Sequence, residues 1–320
     1  GARAASVNDA TAGFWNPAAL TQLQIDNGLQ VGFMHSEWFA GVGKYDYLSV
    51  AGRVGESERR MGLSLIRFGI DDIPNTLNLY DADGRVNYDN VTNFSAADYA
   101  LLLSYAQPLA FKKLPLSVGG NLKIIYRGIG SFATAWGFGL DAGLHYRGKH
   151  WQFGVVGKDI TTTFNAWRFT LTDADKEVLQ VNDNELPENE LEITNPRLVF
   201  GVSYETQYDK IGWKAETNFT LSTDGQRNTL LSADPFSIDP VLGVEANYQR
   251  FVFLRLGINN VQEERDLGVD PFWTLQPNMG VGLRIKNLQL DYAYTDVGGQ
   301  SEGSYSHVIS VLFDVRFKKR

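Results

Sequence analysis

The end of the chain alternates in hydropathy with a period of two residues. Between residues 305 and 317, bulky side chains such as Ile309, Phe313 and Phe317 share one face, and Asp314 lies on the other. Successive side chains point to opposite sides in a β-strand, so this pattern predicts a strand. The same pattern predicts fourteen strands in all, at residues 29–38, 43–53, 60–70, 95–106, 116–129, 131–146, 150–160, 194–206, 211–222, 237–249, 251–261, 273–285, 288–297 and 305–317. Most of them exceed the length of about 5–6 residues that is average for a globular strand.

The faces opposite the apolar ones carry glycines and charges of both signs. Eight charged residues there are spaced so that neighbours on adjacent strands could pair: Arg197, Glu205, Lys214, Glu216, Glu245, Arg255, Arg284 and Asp291. The apolar faces are rich in aromatic residues, and a strand of about 9–11 residues crosses a bilayer. A closed barrel satisfies every backbone hydrogen bond in a membrane and turns its apolar band outward. The sequence therefore predicts an all-β, fourteen-stranded antiparallel transmembrane β-barrel with a charge-compensated lumen.

The predicted connections fall into two sets that alternate along the chain. One set is short or moderate, near residues 55–59, 107–115, 147–149, 207–210, 249–250 and 286–287. The other contains the long connections, at 71–94, 161–193, 223–236, 262–272 and 298–304, and two short ones near 39–42 and 130. Outer-membrane barrels have short periplasmic turns and longer external loops. With an even number of strands, both termini are expected on the periplasmic side and the long loops outside.

Composition removes several functional classes. The formal net charge of −8 and the pI near 5.1 argue against nucleic acid as a partner, because nucleic-acid binders carry a basic surface. The chain has no cysteine, which excludes disulfides, thiolate metal sites and cysteine nucleophiles. Its four histidines, His35, His145, His150 and His307, form no metal-ligand pattern, and no G-x-S-x-G or H-E-x-x-H motif is present. We therefore expect no enzymatic activity, no catalytic or metal-binding residues and no cofactor.

The predicted external loops contain apolar residues. Exposed apolar residues rimmed by polar ones often mark a partner surface. On this basis we expect a partner-binding surface made of Ile73, Leu77, Tyr80, Phe164, Trp167, Phe169 and Phe272. The alternative is that these residues pack on the barrel itself or lie among lipid headgroups.

The N-terminal segment contains two short motifs, Asp9-Ala10-Thr11-Ala12 and Asn16-Pro17-Ala18-Ala19-Leu20. Together they resemble the D-A-x-A…N-P-A-[GA]-L segment of the FadL-like superfamily, which forms a small plug inside a fourteen-stranded barrel. The resemblance implies a short N-terminal plug at 1–28, to which Asn16, Pro17 and Ala18 belong, and a transmembrane β-barrel at 29–320. The C-terminal segment 313–317 resembles the signal by which outer-membrane barrels are recognised for assembly.

Two further segments, Gly1-Ala2-Arg3-Ala4 and Phe68-Gly69-Ile70-Asp71-Asp72-Ile73-Pro74-Asn75-Thr76, are, together with the Asn16-Pro17-Ala18 segment, similar to the PorV/PorQ branch of this superfamily. That branch belongs to the type IX secretion machinery of Bacteroidetes-type outer membranes. The resemblance implies a component of this secretion and attachment machinery, located in the outer membrane of a Gram-negative cell and in contact with its lipid. Its partners would be secreted proteins with a C-terminal sorting domain, or a large translocon barrel, bound by the external loops.

Three other functions remain open from the sequence. A FadL-like channel for the uptake of hydrophobic small molecules is the main alternative, and it predicts an apolar pocket inside the barrel near the plug. An outer-membrane hydrolase would need a Ser–His constellation, which the sequence does not supply. A soluble all-β protein would be extracted without detergent.

Overall fold

The strands of the chain form one antiparallel sheet that closes on itself. A computed structural model describes residues 2–25, 27–38, 41–81, 83–110, 114–181, 185–264, 271–296 and 305–317. Within these ranges the last strand pairs with the first, so the sheet is a barrel. No helix in the same ranges is long and apolar enough to cross a membrane.

The described residues contain seventeen strands and a few short helical segments. The strands are β1 (Gly28–Trp38), β2 (Gly43–Arg53), β3 (Arg60–Asn75), β4 (Thr92–Leu109), β5 (Leu116–Ile129), β6 (Ala133–Arg147), β7 (Trp151–Lys158), β8 (Thr163–Phe169), β9 (Leu191–Thr194), β10 (Arg197–Tyr208), β11 (Ile211–Ser222), β12 (Leu231–Ala233), β13 (Phe236–Tyr248), β14 (Val252–Glu264), β15 (Phe272–Ile285), β16 (Leu288–Asp296) and β17 (Tyr305–Arg316). The helices are α1 (Ala12–Trp15) and α2 (Asp173–Val181), with 3₁₀ turns at Pro17–Gln22 and Tyr88–Asn90.

Fourteen of these strands form the wall of the barrel. β8 extends the wall beyond β7, and β9 and β12 are short additions. The fourteen pair in chain order, β7 with β10 and β11 with β13. The ring closes between β17 and β1, where Gly28 is the Cα partner of Arg316 and Glu37 that of His307. Each predicted strand overlaps one of the fourteen. The all-β, fourteen-stranded antiparallel barrel predicted from the alternation is confirmed.

The two faces of the wall are those that the alternation predicts. Along β6, Trp136 is 54% exposed and Phe138 is 44% exposed on the outer face, whereas Asp141 and His145 are buried on the lumen face. Leaving large apolar side chains in water is unfavourable, so an apolar outer face of this extent requires hydrocarbon around it. The described strands thus have the inside-out arrangement of a membrane barrel.

The connections differ in length between the two ends of the barrel. At one end, β10 and β11 are joined through residues 209–210, and β15 and β16 through 286–287. The first residue of β1 and the last of β17 lie at this short-turn end. The opposite end, here called the mouth, carries the longer connections, among them 76–91 and 223–235. Residues 265–270 and 297–304 of two predicted long loops lie outside the described residues.

One predicted loop instead contains part of the wall. The segment 161–193 was expected to be an external loop, but β8 pairs with the mouth end of β6 and β9 pairs with β8. β7 and β8 run in the same direction and are separated by a kink at 159–162, where Asp159 and Thr162 both have a φ of 57°. β8 continues the path of β7 toward the mouth because both strands are hydrogen-bonded to β6.

Candidate functional site: the plugged lumen

Residues 2–25 fold inside the barrel and are called the plug here. The 3₁₀ turn at Pro17–Gln22 contacts β3, β4, β5 and β6, and α1 contacts β3 and β4. Apolar residues of the plug and of the wall form one buried cluster: Val7, Ala10, Ala12, Ala19, Leu20, Leu23, Ile25, Ala51 and Ala106. Burial of these apolar side chains contributes a non-directional, hydrophobic stabilisation of the plug against the wall.

Asn16 joins three parts of the structure through one side-chain amide. Its Nδ2 donates to the carbonyl oxygen of Ala4 at 2.9 Å and to that of Leu144 on β6 at 3.1 Å. Its Oδ1 accepts from the backbone N–H of Ala18 at 3.1 Å, which caps the 3₁₀ turn that begins at Pro17. Asparagine is suited to this position because the amide supplies both a donor and an acceptor. Asn16, Pro17 and Ala18, the plug residues predicted from the resemblance, are all buried at this seat.

Glycines on the lumen face leave room for the backbone of the plug. A Cβ at Gly119 would lie 2.5 Å from the backbone nitrogen of Ala18, and a Cβ at Gly154 would lie 2.2 Å from the carbonyl oxygen of Ala4. At Gly143 the nearest atom would be Oδ1 of Asn16, at 2.4 Å. Real Cβ atoms do not approach other atoms so closely, so the plug needs glycine at these positions.

Two lumen side chains hold the first residues of the plug. The carboxylate of Glu216 accepts from the backbone N–H of Ala5 at 2.8 Å and of Ser6 at 3.1 Å. Nε2 of His145 lies 2.7 Å from the carbonyl oxygen of Ala5, so Nε2 carries the proton and donates. Sequence reasoning placed Glu216 in the charge network and gave His145 no role. The alternation in β6 did place His145 on the lumen face, which is the feature that could have indicated a contact with the plug.

Arg3 and Asp9 form an ion pair within the plug, with a guanidinium-to-carboxylate distance of 2.5 Å. Burial in the lumen opposes ionisation of Asp9, but the charge of Arg3 and hydrogen bonds from Thr11 and Arg3 outweigh it and hold the pKa of Asp9 below its usual value. Burial likewise opposes the charge of Arg3, yet Asp9 raises the pKa of Arg3. Glu245 and Asp291 add to this effect from the wall. Both groups are therefore charged at neutral pH.

Four of the eight predicted lumen charges form one chain of ion pairs, called the ladder here. Lys214 Nζ lies 3.3 Å from the carboxylate of Glu245, which lies 2.6 Å from Nε of Arg255. Nη1 of Arg255 lies 2.5 Å from the carboxylate of Asp291. The four residues belong to β11, β13, β14 and β16, so the ladder runs along the lumen face of the wall, and its last ion pair spans β15.

The other four predicted lumen charges lie elsewhere. Arg197 faces Asp159 at 3.7 Å, beside the kink in the wall. Glu205 accepts from the side-chain amide of Gln152 at 3.0 Å. Glu216 binds the plug as described above, and Arg284 is exposed near the short-turn end. The spacing of charges along the strands placed these residues on the lumen face, but it did not show which neighbours would pair.

A polar cluster fills the lumen side of the kink between β7 and β8. Lys123 pairs with Asp159, and it lies 2.8 Å from the carboxylate of Asp141. Thr163 also donates to Asp159. The backbone N–H of Asp159 donates to Asp141 at 2.9 Å, and that of Ile160 to the carbonyl oxygen of Leu140 at 2.9 Å. These bonds replace the regular hydrogen bonds between strands that the kink interrupts, so the wall stays hydrogen-bonded there.

The predicted partner-binding residues are dispersed around the mouth. Ile73 is half-buried in β3 opposite Phe94, and Leu77 is half-buried in the following connection. Tyr80 is 64% exposed at the tip of that connection. Phe164 faces outward from β8 and lies 5.9 Å from Phe138, measured between ring centroids. Phe272 begins β15 and is 38% exposed.

Trp167 and Phe169 lie together at the mouth on the lumen side of β8. Their rings are stacked with centroids 6.2 Å apart, and the guanidinium of Arg127 lies 4.9 Å from the Trp167 ring. Nε1 of Trp167 donates to Glu192 at 2.7 Å. Beside them is a cavity of about 820 Å³ lined by Phe169, Gln180, Glu185, Leu186, Pro187, Glu188 and Glu190. Phe169, Leu186 and Pro187 give this cavity some apolar surface, and Gln180 and the three glutamates make the rest of its lining polar and acidic.

Comparison with known proteins identifies the fold. No family model matches the chain, and no curated protein matches it by sequence. Among solved structures, it is similar to the Pseudomonas putida toluene transporter TodX, with a TM-score of 0.57 and 12% identity over 98% of this chain and 95% of that one. It is also similar to the monoaromatic hydrocarbon channel CymD (TM-score 0.56, 16% identity, 99% and 95%) and to a Pseudomonas aeruginosa FadL homologue (0.55, 13%, 99% and 96%). The fold is therefore that of the FadL-type barrels, as the N-terminal motifs implied.

The expectation of a type IX secretion component is wrong. The hydrocarbon channel CymD and the toluene transporters TodX and TbuX, which this chain resembles along almost its whole length, are transport proteins and not enzymes. The error has a physical reason. Asn16, Pro17 and Ala18 build the seat of the plug, and a barrel with this fold needs that seat whichever molecule it transports. Secreted proteins and a translocon barrel were expected as partners only because of the secretion function, so that expectation loses its basis.

Proposed function

We propose that this chain is an outer-membrane channel for the uptake of small apolar molecules, in the class of monoaromatic hydrocarbons. The single observation that carries the proposal is the likeness of its fold, over nearly the full length of both chains, to the toluene transporter and the monoaromatic hydrocarbon channel. The apolar outer face of the barrel supports a membrane location. We place the short-turn end and both termini in the periplasm and the mouth outside.

The mouth offers a first contact for such a molecule. Trp167 and Phe169 present stacked aromatic rings beside the cavity, and Leu186 and Pro187 add apolar surface. An aromatic hydrocarbon gains both apolar burial and ring-to-ring contact on this surface. Deeper in the barrel the route meets the plug, whose contacts with the wall would have to yield for passage along the axis.

Uptake of radiolabelled toluene tests the proposal. The protein is produced in a Gram-negative host that lacks its own toluene channel, and initial uptake is measured at low toluene concentration against an empty-vector strain. We expect faster uptake with the protein, and a several-fold reduction when Trp167 and Phe169 are both replaced by alanine, because about 0.5–1.5 kcal/mol is lost per aromatic contact.

Phe164→Ala is the matched control, since Phe164 lies on the same strand but faces outward. It is expected to leave uptake unchanged. Uptake equal to that of the empty vector, with folded protein demonstrated in the outer membrane, would overturn the proposal.

A further inference from the structure

The plug does not cover the lumen evenly. Against β4, β5 and β6 the lumen side chains are nearly inaccessible: Ser104 is 2% exposed, Asn121 4% and His145 1%. On the opposite side the ladder is accessible, with 32% of the Arg255 side chain, 24% of Lys214 and 17% of Asp291 exposed. The ladder and the plug lie at a similar height, because Glu216, which binds the plug, is two residues from Lys214 on β11.

Polar groups continue the lumen face of this strip toward the mouth, where Asn259 and Asn278 are half-buried and Gln276 is buried. On β14 and β15, Asn259 donates to Gln276 at 3.0 Å, and Asn278 donates to Asn259 at 2.5 Å. These amides lie on the lumen face, on the same strands as Arg255 and its neighbours. Arg3 of the plug is 36% exposed and lies within the electrostatic influence of Glu245 and Asp291. The plug thus presents a charged edge to the ladder.

From this arrangement we propose a second function: the strip between the plug and strands β13–β16 is a hydrophilic path that conducts small ions while the plug stays seated. At the height of the ladder its lining is electrically balanced, since Arg3, Lys214 and Arg255 face Asp9, Glu245 and Asp291. The charged groups keep the path hydrated, and because both signs are present in equal number, neither cations nor anions are held strongly. Selectivity between cations and anions is therefore weak. This function is independent of hydrocarbon uptake, which uses apolar surface.

The first test is conductance in planar lipid bilayers. The chain contains no cysteine, so a single introduced thiol can be modified selectively. Gly243 faces the strip, and a Cβ there would make only ordinary contacts, with Ala2 at 3.8 Å and the carbonyl oxygen of Leu256 at 4.0 Å, which leaves room for a thiol. Treating the Gly243→Cys variant with a water-soluble cationic thiol reagent should lower conductance at least about twofold, because the adduct occupies the path. The control, Val244→Cys on the lipid-facing side of the same strand, should not respond.

A disulfide distinguishes this path from movement of the plug. A Cβ at Gly13 would lie 3.5 Å from Cβ of Ser104, which is the separation that a disulfide requires. Oxidation of the Gly13→Cys, Ser104→Cys variant therefore locks the plug to β4. The proposal expects the same conductance before and after oxidation. Loss of conductance on locking would overturn it, because ions would then pass only when the plug moves.

Selectivity supplies a readout that a purely structural role would not give. Arg255→Gln leaves Glu245 and Asp291 in excess and should shift the reversal potential toward cation selectivity. Asp291→Asn should shift it in the opposite direction. Wild-type protein that conducts no more than lipid alone, or variants that shift together in one direction, would overturn the proposal. Hydrocarbon uptake is measured separately, so either function can fail while the other stands.

Discussion

A Cβ on Gly154 of β7 would lie 2.2 Å from the carbonyl oxygen of Ala4 in the plug. The absence of a side chain on one wall residue thus permits the close approach of the N-terminal segment, about 150 positions away in sequence. The contact involves the backbone of the plug, which cannot rotate away as a side chain can. Seating of the plug is consequently sensitive to single atoms on the lumen wall.

Gly154→Ala should loosen the plug without unfolding the barrel. Overpacking of a close contact costs about 1–3 kcal/mol, so hydrogen exchange of the amides in residues 2–10 should accelerate by roughly 5- to 150-fold. Exchange measured by mass spectrometry on the solubilised protein reports this. Gly128→Ala is the control, because a Cβ there meets only ordinary contacts, at 3.7 Å or more. Unchanged protection of the plug in Gly154→Ala would contradict the structure.

Glu216→Gln should weaken the attachment of the first plug residues. The carboxylate accepts from two backbone N–H groups, and an amide has only one acceptor oxygen and no charge. A hydrogen bond to a charged group contributes about 1.5–3 kcal/mol, and exchange at Ala5 and Ser6 should rise accordingly. Glu205→Gln, on the neighbouring strand, changes a residue bonded to Gln152 and should leave plug exchange as in the wild type. Equal effects of the two substitutions would argue against the contact.

The plug should become less protected in acid, through Asp9. Because the pKa of Asp9 is lower in the folded protein than its ordinary 3.8, ionised Asp9 contributes stability that is complete above about pH 5. That contribution is lost as the pH falls below 3.8 and through the lowered pKa. The measurement is hydrogen exchange of the amides in residues 2–10 over a series of neutral to acid pH values, each corrected for the intrinsic exchange rate at that pH. Asp9→Asn should lack this protection at every pH, and wild-type protection at neutral pH no greater than that of Asp9→Asn would refute the role of this pair.

An arginine on the outer face of β13 should destabilise the barrel much more than one on the lumen face. Leu242 is 49% exposed on the lipid-facing side, and its neighbour Val241 faces the lumen. Arginine near the bilayer midplane costs about 2–4 kcal/mol on a lipid-facing position. Urea titration of barrels refolded into vesicles should show this loss for Leu242→Arg and a clearly smaller one for Val241→Arg. The reverse order would mean that the two faces of the strand have been exchanged.

Much of the wall could be predicted from the sequence, because the side-chain period of a strand is two and each face meets a different solvent. The strand at 211–222 was predicted with its observed bounds, since Trp213 and Phe219 alternate with Lys214 and Glu216. The continuation of the wall in β8 was missed. Thr163 and Asn165 alternate there with outward-facing Phe164, but the run is short and follows a kink, so it resembled an aromatic loop.

The sequence by itself determined the fourteen main strands of the wall and the faces of those with clear alternation, because these depend on local periodicity. The plug was expected only from the resemblance of a short segment to known barrels. Tertiary structure decided which charges pair and what holds the plug. The sequence pattern could not distinguish Glu216 from the other lumen carboxylates. Only the folded chain brings its carboxylate to the backbone N–H groups of Ala5 and Ser6. Pairing across a closed barrel depends on register and on the space that glycines such as Gly154 leave, and neither quantity is local.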